Sequence, residues 1–237
     1  MWDVLGSYPL LLRGAWNTVQ LTVYGGVLGL VLAVVFGLAG AVGSRPVRAL
    51  ARVYVEFFRG APTLVMLYWL FFALPLVGFR LQPMAAGVLA LGLNIGAYGA
   101  EVVRGAVGAV PKAQYEATVA LNMSTYQRLR RVVLPQAVAL MLPPFGNLLI
   151  ELLKGTAVVS LISIADLTFR AQQLRAATGH TAAAFAVVLV MYFVIAQLLQ
   201  VLVRYLERRT ERMLGRRPRR ERRRAAASVP AGTEAAK

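Results

Sequence analysis

The sequence contains no cysteine, a single histidine and only ten acidic residues in 237 positions. Disulfide bonds and thiolate metal sites are therefore excluded. The lone histidine, His180, provides almost no material for a zinc site or a hydrolase triad, and we interpret it as an exposed loop residue. The sequence therefore predicts no metal site and no catalytic residue.

Lysine is also scarce, since only Lys112, Lys154 and Lys237 occur. A phosphate-binding loop ends in Gly-Lys-Ser or Gly-Lys-Thr, and none of these lysines follows a glycine. We therefore expect a chain that binds no nucleotide or other cofactor and is not an enzyme. If the chain takes part in an ATP-driven process, another subunit must bind the ATP.

Hydrophobic residues make up 58% of the chain, and the mean hydropathy is +0.62. Five long stretches carry no charge, and about 20 apolar residues suffice to cross a hydrocarbon core of about 30 Å. Glycines in the first stretch are interpreted as helix contacts; they are Gly25, Gly26, Gly29 and Gly37. The prediction is an all-α membrane protein with five transmembrane helices, at about 16–42, 61–77, 84–103, 135–153 and 181–203.

The formal charge of +16 is unevenly distributed. Basic residues concentrate in a predicted loop between the first two spans (Arg45, Arg48, Arg52 and Arg59), after the third span, and in a C-terminal tail. Because cytoplasmic loops carry the excess of Lys and Arg, we expect the N-terminus outside and the C-terminus inside the cell membrane. The chain then divides into an outer leader (1–15), a transmembrane domain (16–205) and an arginine-rich cytoplasmic tail (206–237). The tail is expected to contact anionic bilayer lipid or to extend into solution, and not to bind nucleic acid.

One polar segment, residues 111–135, lies between hydrophobic runs. Its pattern predicts two short helices, the first beginning at Pro111 and ending at Asn122, a residue that tolerates the left-handed conformation. Ser124 and Gln127 have the spacing of a capping box, which starts a second helix. That helix is expected to end near Leu134-Pro135, and the whole segment faces the cytoplasm in the predicted topology.

The same segment resembles the EAA loop of membrane subunits in ATP-binding-cassette importers, through Glu116-Ala117, Ala120, Met123 and Leu134-Pro135. The likeness extends outward to Ala100-Glu101-Val102-Val103-Arg104-Gly105 and Leu142-Pro143-Pro144. It resembles the polar amino-acid permease family in particular, over about residues 10–205. We therefore call residues 111–135 the coupling loop.

The resemblance implies that the coupling loop fits a groove of a separate ATPase subunit. The residues that it assigns to this contact are Glu116, Ala117, Ala120, Asn122, Leu134 and Pro135. It also implies two ATPase subunits, an identical or sister permease subunit and an extracytoplasmic solute-binding protein as partners. For Glu116 the simpler alternative is that its carboxylate only complements the dipole of its own helix.

The chain departs from the family pattern at three places. Asn122 stands where the family usually has glycine, and Thr118 where it has alanine, so the geometry of the turn is expected to be looser. The family often reads Lys-Asp-Thr-Ser where this chain has Lys154-Gly155-Thr156-Ala157. Residues 151–157 and 166–170 are more similar to the ectoine/hydroxyectoine permease branch, so the cargo is either an amino acid or ectoine.

Three charged residues are assigned to a translocation pathway. Glu151 would lie about 24 Å along a helix that begins at Pro135, inside the bilayer or near its outer edge, where charges are costly and tend to line cavities. Glu151 and Lys154 are three residues apart, so they either pair with each other or meet the charged groups of a zwitterionic solute. Glu101 is also assigned to the pathway, although pairing with Arg104 is favoured.

Two other functions remain as alternatives to an importer subunit. A non-transporting membrane scaffold would recruit a soluble protein through the same loop and tail. A stand-alone secondary transporter would be expected to show two related halves, and five unrepeated spans argue against it.

Overall fold

The structure, a computed structural model, describes residues 8–213, and within that range every regular element is a helix. The long helices are α1 (Tyr8–Val42), α2 (Arg45–Gly60), α4 (Pro83–Gly108), α7 (Leu134–Gly155) and α9 (Thr181–Met213). The shorter ones are α3 (Thr63–Tyr68), α5 (Lys112–Ala120), α6 (Thr125–Arg128) and α8 (Leu167–Thr178). The predicted all-α class is confirmed for this part of the chain.

Helices α1, α4 and α7 form the core of the molecule. Leu21, Leu91 and Leu152, one from each helix, meet in one buried cluster, and a second cluster joins Val103 to Val133 farther along the same helices. Helices in lipid associate by close packing rather than by exclusion of water, so small residues at their contacts matter. A Cβ atom added at Gly37 of α1 would lie 2.5 Å from Cβ of Val103. The predicted packing role of this glycine is thereby confirmed.

Four helical segments are long and apolar enough to cross a membrane: Pro9–Val42, Pro83–Gly108, Thr125–Ile162 and Thr181–Thr210. A fifth span exists only as a broken one, in which α2 and the segment Thr63–Val77 meet at a bend of 99°. Pro62 stands at this bend, where a residue without an N–H cannot continue the preceding helix. The count of five spans therefore depends on the bent pair.

The basic loop predicted at residues 45–59 is wrong, because these residues form α2. Ser44 precedes the helix and Pro46 occupies its first turn, where a missing N–H costs nothing. Ala51, Tyr54 and Val55 are buried on one face. The arginines, at 45, 48, 52 and 59, are three, four and seven residues apart, which places them together on another face of the helix rather than in a loop.

The coupling loop differs from the prediction at its second helix. This helix does not end at Leu134-Pro135; α6 continues through a π-helical turn, Leu129–Val133, directly into α7. A wider turn before Pro135 makes room for the proline ring against the preceding carbonyl groups. Helix α7 continues through both Pro143 and Pro144.

Two predicted boundaries need correction. The outer leader, 1–15, overlaps α1, which begins at Tyr8, and residues 1–7 lie outside the described range. The segment between the fourth and fifth predicted spans contains helix α8, with Asp166 before it and Gly179 in a left-handed conformation after it. Helix α9 extends the fifth span from 203 to Met213, so the start of the arginine-rich tail is helical. The remainder of the tail, 214–237, lies outside the described residues.

Candidate functional site

The turn between α5 and α6 is fixed by its own hydrogen bonds. Asn122 has a positive φ of 50°, as its predicted role as a helix stop requires. The backbone N–H of Met123 donates to the carbonyl oxygen of Thr118 at 3.0 Å, which closes the end of α5. Ser124 and Gln127 form the predicted capping box, in which each side chain accepts a hydrogen bond from the other residue's backbone N–H. The local geometry of the loop is therefore encoded by adjacent residues.

One side chain bonds α5 to α4. The Tyr115 hydroxyl donates to the carbonyl oxygen of Val107 in α4 at 3.3 Å. The Thr118 side chain is buried, and its hydroxyl donates within α5 to the carbonyl oxygen of Tyr115 at 2.7 Å. Thr118 therefore has a hydrogen-bonded place in its own helix, and the looser geometry expected from this departure stays a prediction.

The opposite side of α5 is open to contact. Glu116, Ala117, Ala120 and Asn122 are all exposed, and Leu121 exposes 71% of its surface beside them. Leu134 and Pro135, assigned to the same contact, lie instead at the start of α7, and Leu134 is half-buried. The structure therefore groups four of the six predicted coupling residues on α5 and its C-terminal turn, and places the other two on a different helix.

Glu101 belongs to an ion pair on α4. Its carboxylate accepts two hydrogen bonds from the Arg104 guanidinium, one of them from Nε at 3.1 Å. The pair is partly exposed, so its contribution to stability is small. The pairing of Glu101 with Arg104 that the sequence favours is therefore present, and the assignment of Glu101 to the pathway stays a prediction.

Glu151 and Lys154 lie far from Glu101 along the bundle. Near the start of α7, Val133 packs against Val103 of α4, whereas Gly155 at its end contacts Leu91. Glu151 is therefore near one end of the paired helices and Glu101 near the other. Both Glu151 and Lys154 are exposed, and the side chains that the structure describes form no ion pair between them. The self-pairing that sequence spacing allows is absent.

A second charged surface, on α2, was missed as a possible site because its residues were predicted to form a loop. Arg48, Arg52, Glu56 and Arg59 line a cavity of about 440 Å³ together with Glu101 and Arg104 of α4. The spacing of these charges, three or four residues apart over the whole helix, is the signal that predicts one helical face. We call this feature the charged groove.

A buried polar cluster joins α1, α8 and α9, and sequence analysis missed it as well. Asp166 is fully buried at the start of α8, where its Oδ1 accepts from the N–H of Phe169 at 2.8 Å. The Tyr192 hydroxyl donates to Oδ2 at 3.1 Å and lies 3.1 Å from the Thr168 hydroxyl. Thr18 of α1 accepts from the N–H of Leu167 at 3.2 Å. An aspartate before an apolar run and a glycine after it, at Gly179, are the start and stop signals that predict α8.

Burial raises the pKa of the Asp166 carboxyl above its ordinary value, while the hydrogen bonds from Phe169, Thr168 and Tyr192 oppose the shift. A carboxyl with a raised pKa in the folded state binds its proton more tightly there than in the unfolded chain. Its contribution to stability is therefore complete below the unfolded pKa and is lost as the pH rises through the folded pKa.

Replacing Asp166 by alanine is expected to lower the free energy of unfolding by about 2–4 kcal/mol, because the N-cap of α8 is lost and the Tyr192 hydroxyl loses its acceptor. Asp166→Asn keeps an uncharged acceptor for Phe169 and should cost much less. The measurement is thermal unfolding of the purified chain in detergent. As the pH falls, the free energy of unfolding of wild type should rise relative to that of Asp166→Asn. If Asp166→Ala and Asp166→Asn lose equal stability at every pH, this role of the carboxyl is refuted.

The comparisons with known proteins cover most of the chain. A family model described as the inner membrane component of binding-protein-dependent transport systems matches residues 25–212. A protein of Sinorhizobium fredii described as a probable amino-acid ABC transporter permease, y4tF, is 49% identical over 91% of this chain and 92% of its own length. The glutamine transport system permease GlnP of Escherichia coli K12 is 37% identical over 86% of this chain and 94% of its own.

Solved structures have the same fold. The crystal structure of an amino-acid ABC transporter with histidines has a TM-score of 0.82 and 32% sequence identity, and the match covers 88% of this chain and 97% of that one. The MetNI methionine ABC transporter in an inward-facing conformation, at 24% identity and a TM-score of 0.72, shares the fold over 86% of this chain. The chain therefore belongs to the family of binding-protein-dependent transport inner membrane components, as a polar amino-acid ABC transporter permease.

Proposed function

We propose that this chain is one of two permease subunits in an ATP-driven importer, with the coupling loop and C-terminus in the cytoplasm and the N-terminus outside. A separate ATPase would bind the exposed side of α5 at Glu116, Ala117, Ala120 and Asn122. The observation that supports this proposal is that one side of α5 is exposed while Tyr115 of the same helix is hydrogen-bonded to Val107 of α4. A force applied to α5 would be passed to α4 through this contact.

The proposed cargo is a small polar zwitterion delivered by an extracytoplasmic solute-binding protein. An amino acid is favoured by the relatives, among them permeases described as transporting glutamine and L-cystine. Ectoine or hydroxyectoine is the second cargo, on the likeness of residues 151–157 and 166–170. Unpaired Glu151 and Lys154 offer opposite charges that suit either molecule. A non-transporting scaffold would have no use for such charges at membrane depth.

Affinity purification from native membranes tests the assembly. The chain is tagged at its proposed outer N-terminus and purified in mild detergent, and its partners are identified and quantified by mass spectrometry. We expect one ATPase subunit per permease subunit and either a second copy of this chain or a sister permease. The molecule bound to the co-purified solute-binding protein would identify the cargo. A monodisperse preparation without any ATPase would contradict the proposal and favour the scaffold.

A further inference from the structure

The charged groove combines an apolar floor with a charged rim. Its floor is formed by the buried side chains of Ala51, Val55 and Ala100. Its rim carries six charged side chains, which are Arg48, Arg52, Glu56, Arg59, Glu101 and Arg104. The volume of about 440 Å³ lies within the range of small-molecule sites. The groove is therefore large enough for a small solute and lined by both signs of charge.

The groove lies near one end of α4. Helix α2 packs beside α4: Tyr54 Oη donates to the carbonyl oxygen of Leu93 at 3.0 Å, and Asn94 Nδ2 donates to that of Phe58 at 2.9 Å. The α4 residues that line the groove, Ala100, Glu101 and Arg104, are four to eight residues before Gly108, the last residue of α4, which corresponds to about 6–12 Å of helix. The groove therefore lies near the proposed cytoplasmic end of α4.

Charged side chains beside membrane-spanning helices normally face water or a polar ligand rather than lipid. The other exposed face of α2 suits lipid, because it carries the apolar side chains of Leu50, Val53 and Phe57, each at least 64% exposed. The two faces are on different sides of the helix. We therefore assign the apolar face to lipid and the charged groove to an aqueous space within the assembled transporter.

The opposite charges of α2 do not neutralise one another. Arg52 and Glu56 are four residues apart, and Glu56 and Arg59 three apart, so both pairs could form. Among the side chains that the structure describes, the one ion pair is Glu101–Arg104. The Arg59 guanidinium lies instead over the ring of Tyr98, 5.1 Å from its centroid. Arg48, Arg52 and Glu56 therefore remain available to a ligand.

We propose that the charged groove is a second, cytoplasm-facing binding station for the amino-acid cargo, on its way from the pathway to the cell interior. Arg48 and Arg52 bind the carboxylate, and Glu56 binds the ammonium group. This inference rests on the proposed function. Outside the Glu101–Arg104 pair the groove holds three arginines and one glutamate, so its potential is positive. It therefore favours neutral and acidic amino acids over cationic ones.

The cysteine-free sequence permits a direct test of the potential. Gly40 lines the groove, and a Cβ atom added there would have its nearest neighbour, Cδ of Arg104, at 3.5 Å, so Gly40→Cys fits without strain. Inside-out vesicles with the assembled transporter are treated with an anionic sulfonatoethyl or a cationic trimethylammonium-ethyl methanethiosulfonate. The mass shift of this chain gives the rate. Relative to the ratio of the two rates with a free thiol in solution, we expect the anionic reagent to be favoured at least about tenfold.

Two comparisons make this test specific. Adding Arg48→Gln and Arg52→Gln should bring the rate ratio close to that of the free thiol, whereas Arg45→Gln, at an exposed arginine outside the cavity, should leave the ratio unchanged. Gly105→Cys on α4, where an added Cβ meets no atom within 4 Å, is the control for reagent access. A rate ratio in the Gly40→Cys protein equal to that of the free thiol would refute the positive groove.

Occupancy is tested by protection of the thiol introduced by Gly40→Cys. An equimolar mixture of the neutral and acidic L-amino acids should slow its modification, and a mixture of L-lysine and L-arginine should not. Glu56→Gln should raise the protecting concentration of the neutral amino acids about tenfold. Protection by added phosphatidylglycerol but not by amino acids would assign the groove to a lipid headgroup and overturn the inference.

Uptake by the same transporter distinguishes failure of the proposed importer function from failure of the second binding station. ATP-driven uptake of the radiolabelled amino-acid mixture is measured in proteoliposomes alongside the protection assay. Absence of uptake by wild type, both of this mixture and of ectoine and hydroxyectoine measured in the same way, refutes the proposed function. Uptake without any protection by amino acids leaves the proposed function intact and refutes only the binding station.

Discussion

Replacing Glu116 by lysine is expected to abolish ATP-driven uptake while leaving the chain folded in the membrane. The carboxylate is exposed, and within the described residues it forms no ion pair, so the fold does not depend on it. At the proposed contact with the ATPase, a reversed charge loses its partner and adds repulsion, which costs about 2–5 kcal/mol for a desolvated pair. Uptake in proteoliposomes should fall more than about tenfold, and less ATPase should co-purify.

A matched variant distinguishes the loss of the Glu116 carboxylate from the mere addition of a positive charge to α5. Gln114 is exposed on the same helix, so Gln114→Lys adds a positive charge two residues away without removing the carboxylate. We expect it to retain most of the uptake. If Glu116 only complements the dipole of α5, Glu116→Lys should change stability by less than about 1 kcal/mol and leave uptake and ATPase binding normal. That result would refute the coupling role.

The parts of the fold that sequence predicts well are those in which neighbouring residues determine the structure. Long uncharged runs locate the apolar spans, because the thickness of the membrane sets their length. Asn122, Ser124 and Gln127 specify the turn of the coupling loop through hydrogen bonds within a few residues. These features need no knowledge of the rest of the molecule.

The parts that sequence missed depend on packing between distant segments. A charged stretch such as α2 gives no apolar run, and its burial of Ala51 and Tyr54 against α1 and α4 appears only in three dimensions. Asp166 and Tyr192 are 26 residues apart, and nothing in the local pattern around either residue indicates their hydrogen bond. Local patterns therefore indicate the helices α2 and α8 but not the contacts that form the charged groove and the buried cluster.

The charged residues assigned to the candidate pathway also show that local sequence does not determine contacts. Residues three apart on a helix can pair, and Glu101 with Arg104 does so, whereas Glu151 with Lys154 does not. The two pairs have similar spacing, so spacing alone does not decide between them. What distinguishes the second pair is that both side chains remain exposed near the end of α7, on a surface that the single chain leaves uncovered.

Replacing Glu151 by glutamine or Lys154 by methionine is expected to raise the half-saturating concentration of solute for uptake by about tenfold or more. A hydrogen bond to a charged group contributes about 1.5–3 kcal/mol, and each variant removes one such bond to the zwitterion. The measurement is the concentration dependence of ATP-driven uptake in proteoliposomes, with the amount of folded chain determined by size-exclusion chromatography. Both variants should remain folded, because neither side chain is part of the packed core.

The double variant decides between a solute site and an internal pair that forms only in the assembled transporter. If each side chain binds its own group of the solute, Glu151→Gln and Lys154→Met together should weaken uptake more than either alone. If the two pair with each other, each single variant leaves an unpaired charge at membrane depth, and the double variant should be better folded than either one. Loss of folded protein in both single variants, restored in the double variant, would therefore contradict the solute site.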